Sequence, residues 1–91
     1  MISNTDIFRK KLLFRSSHRG IKEMDILLGG FFKECGNSLN ESELIEFQSL
    51  LELTDKVISD WLIMNKTTTN IESIGISKKI REFVDSNTIG K

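Results

Sequence analysis

The 91-residue chain has no proline and no tyrosine, and only one cysteine, one histidine and one tryptophan. With no proline to interrupt them, helices are unimpeded, and the β-branched alternation expected of strands never persists beyond a few residues. Cys35 is the only thiol, so no internal disulfide can close and a cysteine-based metal site lacks its ligands; a reducing compartment fits best. His18 has neither metal-binding companions nor an obvious nucleophile to activate, which argues against a metal centre and against catalysis. No apolar run approaches the roughly 20 residues that a bilayer crossing requires. The stretch from Met24 to Phe32 is interrupted by Asp25, Gly29 and Gly30, so membrane insertion is not expected. A secretory pattern is missing too, because the polar opening is followed by Arg9, Lys10 and Lys11 rather than by an apolar segment.

The composition is that of an ordinary globular protein, 38% hydrophobic and 29% charged, so disorder is not indicated. A chain of this size makes a single domain over residues 1–91 with a modest core, burying about 60–70% of its unfolded surface. Zero net charge conceals polarity. Residues 1–22 carry six basic groups against Asp6, while residues 23–60 carry nine acids against Lys33 and Lys56. Such a distribution can orient a partner, or the basic and acidic helices can pair within the fold.

Helical spacing dominates. Ile21, Met24, Leu28, Phe31 and Cys35 recur at steps of three and four, which puts them on one inward face of a second helix. Upstream, Ile7, Phe8, Leu12, Leu13 and Phe14 give an apolar side to a first helix from about Asp6 to Ser17, leaving Arg9, Lys10 and Arg15 to solvent. Asn40 with Glu43 forms a capping pair ahead of Leu44, Phe47, Leu50 and Leu51. Thr54 caps a short fourth helix with Val57, Ile58, Trp61 and Leu62, and Thr69 with Glu72 opens a fifth through Ile76, Ile80, Phe83 and Val84. The short polar links between them predict an all-α, compact five-helix bundle. Gly29 and Gly30 fall inside helix two, where each costs about 1 kcal/mol relative to Ala, so a kink or break near Phe31 is expected.

The junction of helices one and two reads Ser17-His18-Arg19-Gly20-Ile21-Lys22-Glu23-Met24-Asp25. Gly20 can take the positive φ that ends a helix, and without a Cβ it admits a partner's backbone. Glu23 stands within reach of the free amides opening helix two, and four residues after Arg19, a spacing at which the two can pair. The inward stripe turns Lys22, Glu23 and Asp25 to the surface. The result is a mixed-charge corner; spacing alone makes Gly20 a helix terminator and Glu23 a local cap, and does not establish a site.

Arg19-Gly20-x-x-Glu23-x-Asp25, followed by Phe31-Phe32, Leu50-Leu51-Glu52, Asp55 and Trp61-Leu62, resembles the succinate dehydrogenase flavinylation-factor family of bacteria and mitochondria. The resemblance spans about residues 14–84 in ordered landmarks. It implies a five-helix bundle whose Arg-Gly-x-x-Glu surface contacts the flavoprotein subunit of succinate dehydrogenase near its FAD. The flavoprotein's own histidine then attacks the 8α-methyl carbon of the flavin, so the chemistry belongs to partner and cofactor. On this chain the motif falls on Arg19, Gly20 and Glu23, with Asp25 supporting; His18, Lys22 and Trp61 rank behind them as contact candidates. Helical spacing with Val57 and Ile58 favours a core role for Trp61.

The expected role is therefore that of an assembly factor and chaperone, not an enzyme, with no stably bound cofactor and FAD attached to the partner. The fumarate reductase flavoprotein is a second candidate client, and a monomer is expected when free. No phosphate-binding loop contradicts this, since Leu28-Gly29-Gly30-Phe31 lacks the extra glycine, the lysine and the preceding strand. With eighteen residues before Arg19, too few for helix one and a transit peptide, the bacterial cytoplasm is the expected location. The alternative is a nucleic-acid-binding or antitoxin-like regulator using Arg9, Lys10, Lys11, Arg15, His18, Arg19 and Lys22 on phosphates. Balanced charge and the long acidic stretch weigh against it.

Overall fold

The computed structural model describes residues 3–64, 66, 71 and 73–87. Among them lie five α-helices: α1 (Asn4–Ser17), α2 (Lys22–Cys35), α3 (Glu41–Leu51), α4 (Asp55–Leu62) and α5 (Ile76–Asn87), with a 3₁₀ turn over Gly36–Ser38 after α2. No strand occurs among the described residues. The architecture is the all-α bundle that the spacing predicts.

Helix starts follow local polar chemistry. Asn40 Oδ1 accepts from Glu43 N at 2.9 Å and the Glu43 carboxylate accepts from Asn40 N at 3.0 Å, a reciprocal capping box that opens α3. Thr54 Oγ1 accepts from Val57 N at 3.2 Å to open α4. α1 begins at Asn4, two residues earlier than expected, because Ser3 and Asp6 form a capping box of their own. For α5 the expected pair, Thr69 and Glu72, lies outside the described residues. The helix itself starts at Ile76, after a turn over residues 73–75. There Gly75 passes so close to α3 that a Cβ on it would stand 3.1 Å from a Glu46 carboxylate oxygen.

One core joins all five helices. Met24, Leu28, Phe31 and Phe32 of α2 meet Leu44, Phe47, Leu50 and Leu51 of α3; Leu12 of α1, the α4 and α5 residues Ile58, Trp61, Leu62, Ile76, Ile80 and Val84, and Leu39 and Ile71 outside the helices just named complete it. Its centre is aromatic. Phe32 stacks on Phe47 with centroids 4.9 Å apart, and Phe31 lies 5.9 Å from Phe47 and edge-on to Phe83 at 5.7 Å.

α1 departs from expectation. Of its five apolar candidates only Leu12 is fully buried and Phe8 packs partly, while Ile7, Leu13 and Phe14 are exposed, Phe14 by 62%. The inward side centres instead on Leu12 and Ser16, whose hydroxyl is satisfied by donating to Leu13 O at 3.0 Å. Small residues let α1 and α2 approach closely, with Gly29 facing Ser17. The expected break near Phe31 does not occur: α2 runs unbroken through Gly29 and Gly30. The second departure is Arg9, which is half-buried rather than solvated. Its guanidinium donates to Gly36 O at 3.2 Å and Leu39 O at 2.9 Å, supplying partners for carbonyls past the end of α2. With Ser17 at Gly29 and Arg9 at Gly36, α1 and α2 run back along each other and the link between them is forced into a sharp corner. Cys35, at the end of the stripe, is half-buried.

Candidate partner-binding corner

Residues 18–21 form that corner. His18 ends α1 with φ −134° and ψ 45°, and its Nδ1 lies 2.9 Å from Phe14 O and 3.1 Å from Ser17 Oγ. A carbonyl oxygen only accepts, so a proton on Nδ1 suits this arrangement. The ring stacks on Phe14 with centroids 4.1 Å apart and planes 15° from parallel. The pair is a small exposed platform beside the turn.

Gly20 has φ +99°, the single positive-φ glycine among the described residues, and a Cβ there would meet nothing within 4 Å. The residue faces open space, and its conformation, not crowding within the chain, is what calls for glycine. Ile21, extended at φ −113° and ψ 113°, leads into α2, where its carbonyl accepts from Asp25 N at 2.9 Å.

Arg19 does not pair with Glu23. Its Nε donates to Asp55 Oδ1 at 2.9 Å, Nη1 to Leu51 O at 2.7 Å and Nη2 to Leu53 O at 3.0 Å, and Nη2 also lies 2.8 Å from Asp55 Oδ1. Only 12% of the side chain is exposed. The reason is positional: Arg19 lies past the end of α1, and the carbonyl-rich close of α3 draws a cation there. Its backbone N–H donates to Asp25 Oδ1 at 2.7 Å. Glu23 is exposed on α2, and the carboxylate that takes a backbone N–H at this turn is that of Asp25. Lys22 is exposed beside it.

The structure thus brings His18, Arg19, Gly20, Lys22, Glu23 and Asp25 together at one bend, with three distinct environments. Gly20, Lys22 and Glu23 face outward, Asp25 holds the turn, and Arg19 points in toward α3 and α4. Trp61 is elsewhere, 2% exposed in the core, with the Arg81 guanidinium 5.0 Å from its ring centroid. Asp55 is the residue that sequence reasoning left out of the site. It is named among the landmarks of the resemblance, but nothing in spacing links it to Arg19, 36 residues away.

Charge polarity survives folding. Among the described residues, Arg19–Asp55 is the ion pair that joins the basic first part of the chain to the acidic middle; Arg9 pairs with Asp6, Lys56 with Asp60, Lys79 with Glu43 and Arg81 with Asp85. Lys10, Lys11 and Arg15 remain exposed on α1. Arg9 and Arg19, which a phosphate-binding surface would need, are instead committed to the chain's own carbonyls.

Fold and corner together define a small all-α domain that presents a glycine bend braced from beneath by an arginine. Residues 10–84 match the model of the family described as the flavinator of succinate dehydrogenase, and the chain belongs to that family. It is 41% identical over 54 residues to the FAD assembly factor SdhE of Acetobacter pasteurianus, covering 59% of this chain and 50% of that protein. It is 30% identical over 89 residues to the mitochondrial succinate dehydrogenase assembly factor 2 of Dictyostelium discoideum, covering 98% of this chain and 63% of that one. The FAD assembly factor SdhE of Vibrio parahaemolyticus is 36% identical over 62 residues, 68% of this chain and 72% of that protein. The chain thus spans about half to two thirds of the length of the first two relatives. No solved structure matches.

Proposed function

We propose that this chain binds the flavoprotein subunit of succinate dehydrogenase through the Gly20 corner and promotes covalent attachment of FAD to that subunit. It acts as an assembly factor, a chaperone in the narrow sense, and not as an enzyme. The observation that carries the reading is the family match over residues 10–84, which takes in the whole corner. The names of the relatives, FAD assembly factor and succinate dehydrogenase assembly factor, support the same role.

The contact surface is Gly20 and Glu23, flanked by Lys22 and His18 and supported by Arg19 and Asp25. Gly20 leaves its outer side open for a partner's backbone, and Glu23 carries an uncommitted carboxylate three residues on. FAD stays with the flavoprotein, and no cofactor is held stably by this chain. The fumarate reductase flavoprotein is a second client in this reading, the free protein is a monomer, and nucleic acid is not a partner. No helix among the described residues is long and apolar enough to cross a membrane, and the bacterial relatives support action in the bacterial cytoplasm.

The test is in-gel flavin fluorescence of the denatured flavoprotein from cells lacking this protein and from cells carrying wild type, Gly20→Arg or Glu23→Ala. Covalent flavin is expected to fall without the protein, return with wild type and stay low with either variant that remains folded. Covalent flavin unchanged in every strain would sink the assignment.

A further inference from the structure

An arginine in a surface-exposed motif invites the reading that its charge meets the partner. The geometry here points the other way. All three guanidinium nitrogens of Arg19 are engaged inside the chain, on Asp55, Leu51 O and Leu53 O. Leu51 is the last residue of α3 and Asp55 the first of α4, so one side chain closes the carbonyl end of one helix and ties down the start of the next. A cation suits the first position and an anion the second, given the opposite partial charges of helix ends. Withdrawing the guanidinium to meet a partner would leave these carbonyls without their donors and the half-exposed Asp55 without its counter-charge, a cost, carried mainly by the carbonyls, that a contact would first have to repay.

The same residue is held from its other side, where its backbone N–H donates to Asp25. Arg19 is therefore pinned to α2 through its main chain and to the α3–α4 link through its side chain, one bond before Gly20. Gly20 has open space around it and, as a glycine, wide conformational freedom. A Cβ at Gly20 would find no atom within 4 Å, so no packing on that side fixes the bend, whereas its neighbour is held on both sides.

Resting on the assembly-factor reading, we infer that Arg19 is a positioning residue and that Asp55 belongs to the site as its counterpart: the Arg19–Asp55 clamp sets the Gly20–Glu23 surface in a binding-ready shape. The clamp lowers the cost of docking by ordering the bend beforehand, as pre-organisation does generally.

The experiment measures affinity of the purified full chain for the succinate dehydrogenase flavoprotein subunit, comparing wild type with Glu23→Ala, Asp55→Asn, Arg19→Ala and the Arg19→Ala/Asp55→Asn double variant. Helicity and thermal unfolding are followed by circular dichroism so that only folded variants are compared. Asp55→Asn keeps the shape and an acceptor oxygen but removes the charge, and is expected to weaken binding by about three- to tenfold. The double variant is expected to bind no more weakly than Arg19→Ala alone, the signature of two residues acting as one unit. By NMR, exchange of the Arg19 Nε–H with solvent should be slow in wild type and faster in Asp55→Asn. If Arg19→Ala does not fold, Asp55→Asn decides through its affinity and the Nε–H exchange together. Wild-type affinity in Asp55→Asn, or additive losses in the double variant, would show that Arg19 acts independently of Asp55 and overturn the inference. If wild type itself does not bind the flavoprotein, the functional reading fails and takes the inference with it; if wild type binds and Glu23→Ala alone weakens, only the clamp is wrong.

Discussion

Ser17 and Gly29 meet so closely that a Cβ built on Gly29 would stand 2.9 Å from the Ser17 Cβ and 3.2 Å from its Cα. Gly30, one residue on, has only Phe83 Cε2 at 4.0 Å. Alanine at the two positions should therefore act in opposite directions. Gly30→Ala gains helix propensity and is expected to stabilise by up to about 1 kcal/mol. Gly29→Ala gains the same propensity but must push α1 from α2, with overpacking costs of about 1–3 kcal/mol, so a net loss is expected. Urea unfolding of the two variants checks the sign, and Ser17→Gly added to Gly29→Ala should recover part of the loss.

At Gly20 the effect is conformational. An L-residue at φ +99° is strained although a Cβ meets nothing there, and Gly20→Ala is expected to cost about 1–2 kcal/mol. Asparagine tolerates left-handed conformations better, so Gly20→Asn should lose less. Equal losses in both, read as chemical-denaturation midpoints, would mean that left-handed backbone strain does not govern the position.

Two carboxyls bear on acid stability. Glu43 has its pKa lowered, first by the hydrogen bond from Lys79 and then by the Asn40 N–H. Asp60 is lowered by its hydrogen bond from Lys56, 3.0 Å away. A group whose folded pKa is depressed contributes stability above its unfolded value and loses it as pH falls through the folded value. Thermal midpoints should thus be flat in this respect above the ordinary carboxylate range of about 4 and fall on further acidification. Glu43→Gln should flatten part of that fall and leave the neutral-pH curve less stable than wild type.

Trp61 separates core from contact surface. Its ring is 2% exposed and its carbonyl accepts from Arg81 Nη2. Trp61→Ala is expected to cost about 3–5 kcal/mol, as large-to-small core changes of this size do. Trp61→Phe should cost less and keep the affinity for the flavoprotein. As the chain has a single tryptophan, its emission should be blue-shifted in the folded protein and move to the red on unfolding. A Trp61→Phe variant that folds normally but fails to bind would return Trp61 to the interface.

Much of the fold was written locally. The α2 stripe, the α3 cap at Asn40 and the buried set behind it are where periodicity places them, because capping and amphipathicity depend on residues three or four apart. The fate of α1 was not legible. Its apolar residues Ile7 and Phe14 look as suited to burial as Leu12, and what decided among them was the orientation forced by small residues at Ser16, Ser17 and Gly29. Of the candidate site, the chain's order predicts the bend at Gly20 and the outward turn of Lys22 and Glu23, since both follow from the neighbouring stripe. By itself, then, the sequence determined a helical chain with a glycine corner and a polar charge distribution. Only the tertiary structure decided that Arg19 turns inward to Asp55 and Arg9 to Gly36 and Leu39: such long side chains choose partners by the unpaired carbonyls and carboxylates that folding brings within reach, and those partners lie about thirty residues away along the chain.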